Sequence, residues 1–221
     1  MPNLQRSSTT QLSPTYLEVR AAGMSLVGKL VKVHKWPATN LVRAARALGL
    51  PTPGETLVFG DETDIAAFTD YELREFRVDG RGWIDSCDPL RLDLTPLENA
   101  AFRAWLHSRT SLFRTAGVLP DSNQIRLCDL LEPERPEALL TDINLCGSLQ
   151  RLGPDLLLFL RLLEIDRITM SSGFFFGFHP RHTERLLQSF GQKMKKVPPE
   201  ERDARKFAFF YEKYRDLGEA Q

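Results

Sequence analysis

Residues 155–178 read DLLLFLRLLEIDRITMSSGFFFGF, and the fold turns on them. Asp155–Ile165 is almost wholly apolar, which predicts a central strand buried on both faces rather than an amphipathic one. Ile168–Phe178 is its expected antiparallel partner, reached through a tight turn at Asp166-Arg167. Ser171-Ser172-Gly173 breaks the second run with small residues, so a bulge is expected there.

Two further strands are read upstream. Ile125–Leu130 alternates Ile125 and Leu127 against Arg126 and Cys128, and Ala138–Leu145 follows the Pro133–Pro136 turn. Shorter strands are expected at Thr56–Phe59 and Tyr71–Val78, the latter turning at Asp79-Gly80 and returning over Gly82–Asp85. Helices are predicted over 41–48, 96–108, 180–190 and 199–217. The first stops at Gly49 and Pro51, and the second opens on the capping box Thr95-Pro96-Leu97-Glu98. The third starts at His179-Pro180 and is expected to stop at Gly191. The fourth opens on Pro198-Pro199-Glu200-Glu201 and carries Phe207, Phe210, Tyr211, Tyr214 and Leu217 on one face. Residues 13–34 admit two readings: a helix begun at Ser13-Pro14 and carrying Leu17, Ala21, Met24, Gly28 and Val31, or a strand over 25–34. The expected fold class is α+β, a mainly antiparallel sheet covered by about four helices. Residues 1–12 form a loose arm in this reading and 13–221 a single domain.

Composition narrows the function classes. The chain has 221 residues, 42% hydrophobic and 26% charged, with 29 Lys/Arg balanced by 29 Asp/Glu. Such a chain can bury a core, so disorder is excluded. Charge is uneven: residues 1–50 hold seven Lys/Arg against one Asp/Glu, a net of +6, while residues 51–100 hold four against twelve, a net of −8. Cys87, Cys128 and Cys146 are odd in number and widely spaced, which argues for a reducing cytoplasm over a disulfide framework. The longest apolar run, Leu156–Leu160, is far too short to span a bilayer. The polar start, Met1–Gln11, lacks the apolar stretch of a secretory signal.

The chemistry-bearing residues give few patterns. His179-Pro180-Arg181-His182 spaces two histidines three apart, but the proline spoils the helical geometry a shared metal needs. Cys128 lies beside Asp129, which disfavours a thiolate, and Cys146 precedes Gly147-Ser148. Asp61-Glu62-Thr63-Asp64 does not match a calcium loop and reads as a solvated turn. No phosphate-loop, dinucleotide or nucleophile-elbow motif occurs. Leu41–Leu50 resembles the first half of a helix-turn-helix, but Pro51-Thr52-Pro53-Gly54 stands where a recognition helix would begin.

Ser111-Leu112-Phe113-Arg114, Ile125–Leu131 and Met170-Ser171-Ser172-Gly173-Phe174 resemble an uncharacterised family of small bacterial proteins over about residues 41–217. Those stretches read as a helix exit, a strand and a bulged strand. The resemblance implies a bacterial cytosolic origin and carries no activity.

The leading expectation is a non-catalytic interaction protein that binds another protein or a second copy of itself, without cofactor, metal or membrane. Its expected contact residues are Lys29, Lys32, Lys35, Phe207, Phe210, Tyr211 and Tyr214. One alternative is an enzyme assembled from His179, His182, Asp129 and Cys146. The other is a nucleic-acid accessory protein that uses the basic head.

Overall fold

The computed structural model describes residues 15–33, 36–153 and 155–217. The 155–178 stretch forms the hairpin its sequence predicts: β6 (Leu157–Ile165) and β7 (Ile168–Phe178) pair antiparallel. Opposite Arg161 the register skips, since Leu160 faces Phe175 while Leu162 faces Ser171. Ser172, Gly173 and Phe174 stand opposite Arg161 alone, two residues in surplus, so the bulge lies where the small residues are. Gly173 takes φ +120°, a conformation that disfavours a side chain.

The sheet does not stay open. β3 (Arg109–Leu119) pairs with β6 on one side and with β4 (Gln124–Asp129) on the other. β4 pairs with β5 (Ala138–Thr141), and a parallel bridge from Leu140 to Thr169 joins β5 to β7. The circuit β3-β4-β5-β7-β6 is a closed barrel. The expected mainly antiparallel sheet is thus closed on itself: four seams are antiparallel and the closing one is parallel. Ser111–Arg114 is strand, which corrects the expected helix exit. Closure follows from burial on both faces of β6, because a barrel supplies an inner and an outer core at once.

The inner core is Phe113, Ile125, Leu127, Leu140, Leu158, Leu160 and Leu162. Helix α5 (Ile143–Leu152) closes one end with Leu145, Cys146 and Leu149. The expected strand over 138–145 therefore stops at Thr141. Asp142 ends it by accepting a 3.0 Å hydrogen bond from the backbone N of Leu145, which starts the helix.

Seven α-helices are present among the described residues, more than the four expected. α1 (Tyr16–Val33) settles the ambiguous segment as helix and packs with α4 (Pro96–His107) on Leu163, Ile165 and Met170 of the barrel exterior. α2 (Ala38–Leu48), α3 (Glu62–Asp70) and α7 (Arg202–Leu217) cover Leu157, Phe159, Phe174, Phe176 and Phe178. α6 (Thr183–Met194) runs through Gly191, past the expected stop.

Of the acidic turn expected to be solvated, Asp61 and Glu62 are exposed, but Asp64 is buried. Asp61 caps α3, and buried Asp64 accepts from Gly60 N and from the Tyr211 hydroxyl on α7. Thr56–Phe59 forms no strand. Most of Tyr71–Val78 continues α3 as a π-turn over Tyr71–Glu75, leaving only β1 (Arg77–Val78) to pair with β2 (Arg81–Gly82) across Asp79-Gly80. The π-turn is closed by Phe76 N bonding Tyr71 O at 2.9 Å. It brings Glu75 inward to a buried arginine.

Candidate functional site

Arg161 projects from the outer face of β6 between the two outer clusters and is fully buried. Its Nε donates to Asp70 at 2.9 Å, Nη2 to Glu75 at 2.6 Å and Nη1 to Ser108 Oγ at 3.1 Å. Its guanidinium lies 5.5 Å from the Trp105 ring centroid. Ser172 of the bulge donates to Asp70 at 2.5 Å. Burial opposes its charge, yet Asp70 and Glu75 outweigh burial and hold the arginine charged. For Asp70 burial wins, and its pKa is raised despite Arg161 and Ser172. Every partner is occupied and no solvent reaches the guanidinium, so this cluster pins elements together.

The accessible chemistry lies at the barrel end opposite α5. Arg109, the first residue of β3, and Asp129, the last of β4, project into that mouth. Asp129 Oδ1 accepts from Ser111 Oγ at 2.5 Å and from the backbone N of Leu131 at 2.9 Å and Glu132 at 3.0 Å. Its Oδ2 accepts from Arg109 Nη1. The carboxylate is 1% exposed and the arginine 28%. Arg109 also lies 5.6 Å from the Phe113 ring centroid. The guanidinium is thus held on two sides, and the bond to Asp129 uses one of its five N–H groups.

A cavity of about 610 Å³ opens over it, lined by Arg103 and His107 of α4, Arg135 of the β4–β5 loop, Glu164 of β6 and Asp166 of the β6–β7 turn. Leu162 is part of its wall. His107 Nδ1 lies 2.8 Å from the Arg103 carbonyl, and Arg135 is ion-paired with Glu132. The volume falls in the ordinary range for ligand sites. The mouth carries both signs of charge.

The residues expected from sequence are scattered. Lys29 donates to Glu98 at 2.8 Å and to the Asp93 carbonyl at 2.7 Å, and so serves the α1–α4 contact. Lys32 is exposed on the last turn of α1, and Lys35 lies outside the described residues. Phe207, Phe210 and Tyr211 are buried, and Tyr214 stacks on Phe176 at 5.0 Å. The aromatic face of α7 is therefore packed on the chain's own barrel, not presented as a contact stripe.

The four residues of the enzyme alternative hold separate places. His179 Nδ1 accepts from Arg181 N at 3.1 Å, capping the turn Pro180–His182, and His182 Nε2 accepts from Arg181 Nε at 3.2 Å. Cys146 is buried in the barrel, and Asp129 sits at the mouth. The Cys128 thiol donates to Glu137, and burial together with that carboxylate pushes its pKa up. Among the described residues, no three His, Cys, Asp or Glu side chains gather as metal ligands, and no helix is long and apolar enough to cross a membrane. Of the mouth, the sequence singled out Asp129 alone. Arg109 escaped notice because Ser111–Arg114 read as a helix exit, which hid the alternation of Arg109, Ser111 and Phe113.

A family model covers residues 10–220, nearly the whole chain. The chain belongs to a family of unknown function, DUF7986. No curated protein and no solved structure matches the sequence. Family membership accords with the resemblance read from the sequence.

Proposed function

We propose that this member of DUF7986 is a non-catalytic protein-interaction module that receives a charged polypeptide segment of its partner at the barrel mouth. The observation that carries the reading is Arg109, oriented by a buried carboxylate and an aromatic ring, with further N–H donors at an open cavity. A guanidinium fixed in advance loses little freedom on meeting a carboxylate, which favours recognition. The nearby Glu164 and Asp166 suit a segment that carries basic as well as acidic side chains, as polypeptides do. The separate placement of His179, His182, Cys146 and Asp129 supports binding over catalysis. The free thiols of Cys87, Cys128 and Cys146 suit a reducing cytoplasm.

A photo-crosslinking residue placed at His107 tests this, with one at exposed Leu139 as control. The expected result is a protein adduct at position 107 that is absent at 139 and falls at least tenfold in an Arg109→Gln background of unchanged circular dichroism. Equal adducts at both positions, or an adduct indifferent to Arg109→Gln, would overturn the reading.

A further inference from the structure

A second cavity, of about 570 Å³, lies between the end of α1 and the segment 83–92. The indoles of Trp36 and Trp83 border it, with Leu92 and the half-buried Cys87. Trp36 is set edge-on against Phe76, centroids 5.3 Å apart, and Trp83 is 6% exposed, so both rings are held by the fold. Burial pushes the Cys87 thiol up to about 12, which keeps it neutral and removes it as a nucleophile or anionic ligand.

The rim has a different character. Lys32 stands on the last turn of α1 with no acidic partner among the described residues. Among the described residues Arg91 is ion-paired with Asp88, which also lines the cavity, at 3.4 Å through a side chain that is 86% exposed. Such a surface pair is worth little and gives way readily to a stronger anion. Two indoles and two cations lining one cavity fit a flat ring that carries an anionic tail. Indoles stack on any nucleobase, and lysine and arginine meet phosphate by charge.

We infer that this cavity is a nucleotide subsite, in which a base packs against Trp36 and Trp83 while its phosphate meets Lys32 and Arg91. The inference stands apart from the barrel mouth, because the two cavities share no residue. The same chemistry is offered by a free mononucleotide and by a nucleotide within an unpaired strand.

Tryptophan fluorescence of the full chain tests it, with adenosine 5′-monophosphate, adenosine and an eight-residue oligothymidylate as probes. Saturable quenching by the monophosphate, at least tenfold weaker with adenosine, is expected. Lys32→Gln/Arg91→Gln changes only exposed side chains and should erase the preference for the phosphate. Trp36→Leu should remove most of the quenching. Oligothymidylate binding at least tenfold tighter than the monophosphate, and falling with salt, would identify a strand as the source; comparable affinities would identify the free nucleotide. Absence of saturable quenching by either phosphate-bearing probe at millimolar concentration would overturn the inference. So would quenching unchanged in the double variant.

Discussion

Arg161 stands amid two outer hydrophobic clusters, where an unpaired charge would be prohibitive. Replacing it with methionine leaves Asp70 and Glu75 buried without their cation. Arg161→Met is therefore expected to cost about 3–5 kcal/mol, read from guanidinium chloride denaturation. Combining it with Asp70→Leu and Glu75→Leu should recover most of that loss, since the desolvated charges disappear together. Failure of the triple variant to recover would mean that the cluster contributes more than charge balance.

Glu98 has the opposite sense. Burial pushes its pKa up, but hydrogen bonds from Lys29, Ser25 and Thr95 outweigh burial and bring it down to about 2. A carboxylate depressed in the folded state adds stability that is complete above about pH 4.5 and is lost as pH falls through about 2. Screening at the half-exposed Lys29 limits the expected loss to about 2 kcal/mol. Urea midpoints of the wild type should therefore fall more steeply than those of Glu98→Gln between pH 5 and 2. Parallel curves would show that Lys29 and the capping box do not hold the charge.

At the scale of elements, β7 shows how a local irregularity serves a distant contact. The bulge turns Ser172 toward Asp70 while Phe174 and Phe176 stay on the outer core. A Cβ at Gly173 would meet no atom within 4 Å, so only its positive φ resists substitution. Gly173→Ala is expected to cost about 1 kcal/mol without moving the mouth, as checked by thermal unfolding. A neutral result would mean that the bulge relaxes.

This bulge and the β6–β7 hairpin were legible in the sequence because apolar runs, small residues and a short turn are local signals. The capping box of α4 was legible for the same reason. The π-turn at Tyr71–Glu75 was not. Its Tyr71, Leu73 and Glu75 alternate as a strand would, and only the distant Arg161 explains why a glutamate should turn inward. Strand β3 was hidden in a similar way. Arg109 and Ser111 look solvent-facing until Asp129 is placed beside them by closure of the barrel. A site assembled by a non-local seam leaves no spacing to read.

Over the whole molecule, that seam is unevenly built. β6 pairs along its length with β3 and β7, whereas β5 has four residues and reaches β7 through a single bridge, Leu140 to Thr169. Parallel pairing is also the slightly weaker kind. Opening should therefore begin at β5 and involve α5, which follows it directly and fills that end of the barrel. Backbone amides within 138–141 are expected to exchange with deuterium at least a hundredfold faster than those within 158–163, read by mass spectrometry under native conditions. Equal protection would show that the barrel opens as one unit. The asymmetry bears on the mouth. Arg109 belongs to β3, which has paired neighbours on both sides, and Leu162 and Glu164 belong to β6. The proposed binding end thus rides on the most heavily bonded half of the barrel, and the seam can loosen while Arg109 stays set for a partner.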